Sequence, residues 1–309
     1  MTGLSLYQSA RLFKGNRITV GFDWFRYGGH AWNEFVSGEQ TGTKSDLVDK
    51  QEDELASYLD LRQDIDTWLT FHAGLRADHH SRVGLEWVPQ AGLIFHLPHA
   101  MELKASASKG FRYPVLREMY LFPPQNPDLK PESMWNYELA LSGRLMNGRL
   151  SYGLNLFYID GKNLIQTLPN PNGSGMLNQN TGNIQNSGIE VQAACRINRH
   201  WSVDGNYSFL HMKHPVVAAP EHKLYAGTCY EQGRWQISSG LQYIAGLYTQ
   251  TVPAITENFV LWNARASFRA TSWLSLWARG ENLLAQKYEI NTGYPMPHAT
   301  VMGGVHIRF

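Results

Sequence analysis

Polar and apolar side chains alternate with a period of two along most of this sequence. Between 150 and 158 every even position is leucine or tyrosine, whereas positions 151, 153 and 155 are serine, glycine and asparagine. The pattern recurs at 68–77, 201–210 and 235–247. Successive side chains of a strand point to opposite faces, so this period predicts strands with one apolar and one polar face. The polar face carries charged residues such as Arg76, which do not suit a protein core.

Counting these segments predicts an all-β fold of about fifteen strands of roughly 10 residues, the length that a tilted strand needs to cross a bilayer. Strands of globular proteins are usually shorter, about 5 or 6 residues. The alternative is a large soluble sandwich or jelly roll. The predicted strands are 4–13, 17–27, 54–64, 67–78, 86–97, 101–110, 134–146, 149–160, 185–198, 201–212, 222–231, 234–247, 258–270, 273–284 and 300–309.

The connections between these strands alternate between short and long. Asn147-Gly148 predicts the tightest of the short turns, because both residues tolerate positive φ. The predicted long loops are 28–53, 79–85, 111–133, 161–184, 213–221, 248–257 and 285–299. Short turns on one rim and long loops on the other are typical of outer-membrane barrels, and a soluble sandwich has no reason for this asymmetry. The alternation places the chain end on the periplasmic side.

Composition excludes several classes of protein. With 27 basic and 26 acidic side chains the net charge is +1, which gives no field that favours nucleic acid as a partner. No run of about 18 apolar residues is present, so a transmembrane helix is excluded. The first residues lack the pattern of a secretory signal, which we interpret as a sign of a fragment. Aromatic residues lie beside the short turns, where rings meet lipid headgroups: Trp68, Trp201, Trp235, Trp273 and Phe309.

Four stretches resemble TonB-dependent outer-membrane receptors. The first runs from Lys109 to Tyr120 and continues into a motif that the family shares. The second is 180–190, the third is 279–297, and the fourth is the chain end at Phe309, which resembles the signal read by the barrel assembly machinery. The shared motif consists of Asn126, Pro127, Asp128, Leu129, Lys130, Pro131 and Glu132.

This resemblance implies a receptor barrel of twenty-two strands that contains a plug and is driven by the TonB complex. Residues 1–309 would be the C-terminal part of that barrel, with about fifteen of its strands and without plug, TonB box or signal peptide. The TonB complex would act on the receptor only through the plug, which this chain is expected to lack. Two open sheet edges in lipid are costly, so we expect that the chain alone does not transport.

The family takes up scarce nutrients without covalent chemistry, so the resemblance implies no cofactor and no catalytic residue. It predicts a receptor in the outer membrane of a Gram-negative-type bacterium, for a small chelate, most often a ferric siderophore or another metal chelate. A passive porin or structural barrel is the alternative, and the odd strand count argues against it. A hydrolase on the barrel wall finds no support, because no nucleophile elbow or ordered triad is present.

The sequence leaves the ligand site open. Haem receptors carry an axial histidine between two boxes like those here, but 115–125 contains no histidine, which argues against haem. Imidazole or thioether side chains in the predicted loops suit a metal chelate, although solvated rim histidines are the simpler interpretation. Arginines suit an anionic chelate or a brace between loop and lumen. The candidates in predicted external loops or at their rims are His79, His80, Arg112, Arg117, Tyr120, His211, His214 and Tyr294.

Overall fold

A computed structural model describes residues 1–308 and shows an antiparallel sheet of fifteen strands whose order follows the chain. The predicted strand number is confirmed. A separate two-stranded hairpin lies before the last strand, and one π-helical turn spans Arg117–Leu121. The strands are β1 (Thr2–Ala10), β2 (Asn16–Glu34), β3 (Lys44–Ile65), β4 (Leu69–His80), β5 (Gly84–Leu97), β6 (Met101–Arg112), β7 (Glu132–Leu145), β8 (Leu150–Pro169), β9 (Met176–Arg196), β10 (Trp201–Met212), β11 (Pro220–Gln232), β12 (Trp235–Thr251), β13 (Ala254–Arg269), β14 (Leu274–Glu281), β15 (Glu289–Asn291), β16 (Tyr294–Pro295) and β17 (Thr300–Ile307).

The chain divides into two compact units. Unit 1 comprises residues 1–96, 104–138 and 159–185, and unit 2 comprises 97–103, 139–158 and residues 186 onward. Unit 1 therefore holds β1 to β4 and all of β5 except Leu97, whereas unit 2 holds β10 to β17. Phe309, the proposed assembly signal, lies outside the described residues.

The pleat separates apolar from polar side chains as the alternation predicts. Leu59 and Leu75 lie opposite each other on β3 and β4 and are 50% and 44% exposed. In unit 2, Leu241 and Trp262 pair across β12 and β13 and are 49% and 38% exposed. Large apolar side chains left open in this way on strand after strand suit contact with lipid.

Several strands are much longer than predicted. β2 and β3 have 19 and 22 residues and pair along a hairpin that leaves only residues 35–43 as a loop. The predicted loop 28–53 is therefore largely wrong. Tyr27 lies opposite Glu52, and beyond this pair the apolar residues come in adjacent pairs, Ala31-Trp32 and Leu47-Val48, so the period of two is lost. Backbone hydrogen bonds do not depend on that period, so the pairing continues where the alternation disappears.

The same correction applies to other predicted loops. Of the loop predicted at 79–85, only residues 81–83 lie outside the strands. The loop predicted at 248–257 is reduced to 252–253, and the loop predicted at 161–184 is reduced to 170–175. The turn at Asn147 and Gly148 has the positive φ that its sequence predicts, 55° and 82°. Among residues 1–308 no helix is long and apolar enough to cross a membrane.

Buried apolar clusters lie at the long-connection end of the strands. In unit 1 the cluster contains Val48, Met119, Tyr120 and Leu129. In unit 2 it contains Ile244, Leu247 and Phe259, with Tyr288 packed against them. Strand faces that meet lipid or water bury little, so packing is concentrated where a connection folds back onto its own strands.

Candidate functional site

The connection between β6 and β7, residues 113–131, folds back onto β3 and is called the docked segment below. It contains the π-helical turn, which presents Met119 and Tyr120 to Val48 of β3. Met119 is fully buried and Tyr120 is 7% exposed. A long connection anchored in this way provides a fixed surface rather than a mobile loop.

The family motif anchors the end of the docked segment. The Asn126 side chain accepts from the Asp128 backbone N–H at 3.2 Å and donates to the Asn178 carbonyl at 2.7 Å. Leu129 is buried in the cluster. Asn180 Oδ1 accepts from the Lys130 N–H, and Asn180 Nδ2 donates to the Lys130 carbonyl, at 2.7 and 2.9 Å. These contacts give the three residues a structural role: Asn126 and Lys130 attach the segment to β9, and Leu129 packs in the cluster with Val48 of β3.

Arg112 is the brace between the two ends of the docked segment. Its guanidinium donates to both carboxylate oxygens of Glu118, at 2.9 and 3.0 Å, and to Glu132 at 2.6 Å. Hydrogen bonds to the two carboxylates raise the pKa of Arg112. The hydrogen bond from Arg112 lowers the pKa of Glu132, and the backbone N–H of Ile165 adds to this effect. The geometry therefore favours the bracing role over attraction of an anionic ligand.

This brace predicts a loss of order at acidic pH. Because the pKa of Glu132 lies below its ordinary value of 4.5, its stabilising effect is complete at neutral pH and declines as the pH falls from 4.5 through the lowered pKa. Protease cleavage within 113–131 should accelerate across that range in the wild type. In Glu132→Gln cleavage should be faster at neutral pH and less dependent on pH. Equal pH dependence of the two proteins would contradict this role.

His79 and His80 end β4 instead of lying in an external loop, so that prediction was wrong. Consecutive residues of a strand point to opposite faces, and here His79 is exposed whereas His80 is fully buried. The two histidines therefore cannot act together on one ligand.

The buried His80 has partners at both ring nitrogens. Its Nδ1 accepts from the backbone N–H groups of Arg82 and Val83 at 3.1 and 3.3 Å, which assigns the ring proton to Nε2. Nε2 lies 2.7 Å from the Tyr27 hydroxyl and 3.4 Å from Glu52 Oε2. A neutral imidazole that binds a metal carries its proton on the other nitrogen. His80 is thus arranged to hold the 81–83 turn and not a metal ion.

Tyr113 joins the start of the docked segment to the same wall. Its ring packs 4.6 Å from that of His80, and its hydroxyl donates to the Asp78 carbonyl at 2.9 Å. Burial raises the pKa of Tyr113, and the negative charge of Asp78 adds to this shift. Asp78 also pairs with Arg76 at 2.8 Å. Tyr113 and His80 together hold the segment against β4.

Exposed cations surround the outer surface of the docked segment. Lys50 Nζ and the Arg82 guanidinium lie over the Tyr120 ring, 5.7 and 6.0 Å from its centroid. Arg117 lies over Phe122 at 5.6 Å. Within residues 1–308 no carboxylate lies within 4.0 Å of Lys50, Arg82, Arg117 or Lys130. Tyr120 itself is covered, so the accessible groups are the cations above it.

Two members of this surface, Lys50 and Arg82, were missed in the sequence. They lie in different predicted loops, and only the pairing of β2 with β3 and the turn at 81–83 bring them to Tyr120. Arg82 also donates to the Pro127 carbonyl at 3.5 Å. We call Lys50, Arg82, Arg117 and Lys130 the cationic surface.

A family model for the TonB dependent receptor-like beta-barrel matches residues 2–283. The chain belongs to this family. The predicted family, antiparallel sheet and outer-membrane location are thereby confirmed. Its family is one of receptors and transporters, not of enzymes.

Curated relatives carry different substrates in their names. A vitamin B12 transporter BtuB of Photobacterium profundum is 25% identical over 299 residues, covering 92% of this chain and 46% of the relative. The iron-regulated outer membrane virulence protein of Vibrio cholerae is 27% identical over 207 residues, covering 58% and 30%. The receptor chain thus spans about half the length of the relatives it matches most fully.

Solved structures agree on the fold alone. The ferric enterobactin receptor PfeA of Pseudomonas aeruginosa superimposes with a TM-score of 0.78 at 16% identity, covering 99% of this chain and 54% of that one. The copper transporter OprC gives 0.76 at 16% identity, covering 99% and 58%.

The remaining candidates of the receptor chain belong to unit 2. His211 lies near the end of β10, and His214 follows it in the connection 213–219. Tyr294 lies on β16 and is 74% exposed. Residues 1–308 contain no group of three or more histidine, cysteine or acidic side chains arranged to hold a metal ion. In unit 1, by contrast, His80, Arg112, Arg117 and Tyr120 all belong to or contact the docked segment.

Proposed function

We propose that this chain is part of an outer-membrane receptor that takes up a metal chelate with energy supplied through the TonB complex. The single observation that carries the substrate class is the cationic surface on the docked segment. A ferric siderophore of anionic character is the ligand that this surface favours. Relatives named for vitamin B12 and for iron regulation are consistent with a metal chelate in general.

The charge balance of the docked segment supports an anionic ligand. Arg112 pairs with Glu118 and Glu132, and Asp128 is the one other acid between residues 113 and 132, exposed and more than 4.0 Å from the four cations. The four cations of the cationic surface remain exposed and without carboxylate partners in the described part of the chain. Such a surface raises the local concentration of an anionic solute and its rate of association. Guanidinium groups also donate in pairs to the oxygens of a chelate.

Uptake in the source bacterium tests this proposal. Deletion of the gene should abolish accumulation of one labelled ferric siderophore, and a protonophore should have the same effect on the wild type. A variant with Lys50→Gln, Arg82→Gln and Arg117→Gln should reduce binding by about tenfold or more. Lys44→Gln is the matched control, because Lys44 is exposed but lies 3.9 Å from Glu34, away from Tyr120.

Other outcomes would identify other functions. Loss of vitamin B12 uptake alone, with iron uptake unchanged, would replace the siderophore with the substrate of the curated relatives. Uptake that continues after the protonophore would indicate a passive porin. Equal binding by the triple variant and Lys44→Gln would remove the cationic surface from the ligand site while leaving the receptor function open.

A further inference from the structure

A second basic region lies in unit 2, at the short-turn end of the strands. It lines a cavity of about 530 Å³ formed by the turn between β11 and β12 together with β13, β14 and β17. This region is remote in sequence from the docked segment. Its basic lining residues are Arg199, Arg234, Arg265, Arg269, His306 and Arg308.

The register shows how neighbouring strands build this basic region. Arg265 and Arg269 alternate with apolar-face residues along β13, and Arg269 lies opposite Ser275 of β14. Ser275 in turn lies opposite His306 of β17. Because side chains at positions of equal parity share one face, Arg265, Arg269 and His306 lie on the same polar face as Ser275 of the strand between them.

Positive charge in this region is not balanced within the described chain. In residues 1–308 no carboxylate lies within 4.0 Å of Arg199, Arg265, Arg269 or Arg308. Glu231 is the one acid that lines the cavity, and it accepts from Gln236 at 2.7 Å.

Arg265 shows the imbalance most clearly. It lies directly opposite Arg279 across β13 and β14, and Arg279 pairs with Glu281 at 3.0 Å, whereas Arg265 has no carboxylate within 4.0 Å in residues 1–308. Its guanidinium lies 5.7 Å from the centroid of the Trp277 ring, which orients the donor fork. A bound anion would give Arg265 the carboxylate partner that the described residues do not supply.

We propose that this basic region docks an acidic polypeptide segment. Four residues of strand separate Arg265 from Arg269, a span of about 13 Å at about 3.3 Å per residue. Two strand spacings, about 9.5 Å, separate β13 from β17. One phosphate or carboxylate cannot bridge such distances, whereas carboxylates spaced along a peptide match them. Arginine binds carboxylates bidentately, so several forks define both position and direction of the segment.

Binding of defined peptides to the full 309-residue chain in detergent tests the inference. A short peptide of alternating glutamate and serine should bind, and binding should weaken from about 0.1 M to about 1 M salt as the screening length falls from about 10 Å to about 3 Å. Joint replacement of Arg265→Gln, Arg269→Gln and Arg308→Gln should weaken binding by about tenfold or more. Arg149→Gln, another short-turn arginine of unit 2 outside the cavity, is the control and should bind normally.

A charge-reversal variant distinguishes loss of the binding site from loss of folding. Arg265→Glu combined with Arg269→Glu should lose the glutamate peptide and gain a lysine–serine peptide. Inorganic phosphate that displaces the glutamate peptide at equal affinity would overturn the proposal in favour of a single-anion site. Absence of peptide binding to the wild type would overturn it as well. Neither result bears on nutrient uptake, because this inference does not rest on the proposed function.

Discussion

Met119→Ala should detach the docked segment from β3 at a cost of about 2–5 kcal/mol in its local stability. Met119 is fully buried against Val48, Tyr120 and Leu129. Removal of its side chain deletes these contacts and leaves a cavity at the centre of the small cluster. Amide hydrogen exchange of residues 113–131 should then accelerate strongly.

Val115→Ala provides the control for the Met119 prediction. Val115 belongs to the same segment and is 49% exposed, so its truncation removes little buried surface. Its exchange rates should stay near those of the wild type. If Met119→Ala and Val115→Ala exchange equally, then the cluster does not hold the docked segment. In the siderophore proposal, Met119→Ala should also weaken chelate binding, because the cationic surface depends on the position of Tyr120.

Leu241→Arg should destabilise the membrane-inserted state by about 2–4 kcal/mol, the cost of an arginine on the lipid face near the bilayer midplane. Leu241 lies on β12 between Ala226 and Trp262 of the neighbouring strands, on the exposed apolar face. Folding equilibria in lipid vesicles and the amount of protein in the outer membrane measure the effect.

Gln242→Arg is the matched control for the lipid-face prediction. Gln242 is the next residue of β12 and points to the opposite, polar face. The same arginine there should cost far less. Comparable losses from both substitutions would mean that the apolar face does not contact lipid.

The strand pattern could be predicted from the sequence because each environment acts on single residues. A side chain on a face that meets lipid must be apolar, whereas the next residue points to the other face and can be polar. The alternation can therefore be recognised within one strand, without knowing which strand pairs with it. This reasoning located fifteen strands and their short turns. It failed in the hairpin of β2 and β3, where apolar residues such as Ala31 and Val48 do not follow the period of two although the backbone pairing continues.

The candidate site could be predicted only in part. Arg112, Arg117, Tyr120 and the family motif belong to the docked segment or its ends, as their clustering in the sequence indicates. The sequence left two roles open for Arg112, bracing the docked segment and attracting an anionic ligand. Only the hydrogen bonds from Arg112 to Glu118 and Glu132 favour the bracing role. His79 and His80 look alike in the sequence, yet the end point of β4 places one outside and the other in the interior.

By itself the sequence determined the family and the strand number, because these depend on local periodicity and contiguous motifs. The tertiary structure alone decided which charges are neutralised and which remain exposed. Lys50 and Arg82 reach Tyr120 through strand pairing and a turn, and Arg265 meets Arg279 through the register of β13 and β14. Charge interactions act between residues that are distant in the chain, so their outcome depends on the register, which no single segment contains.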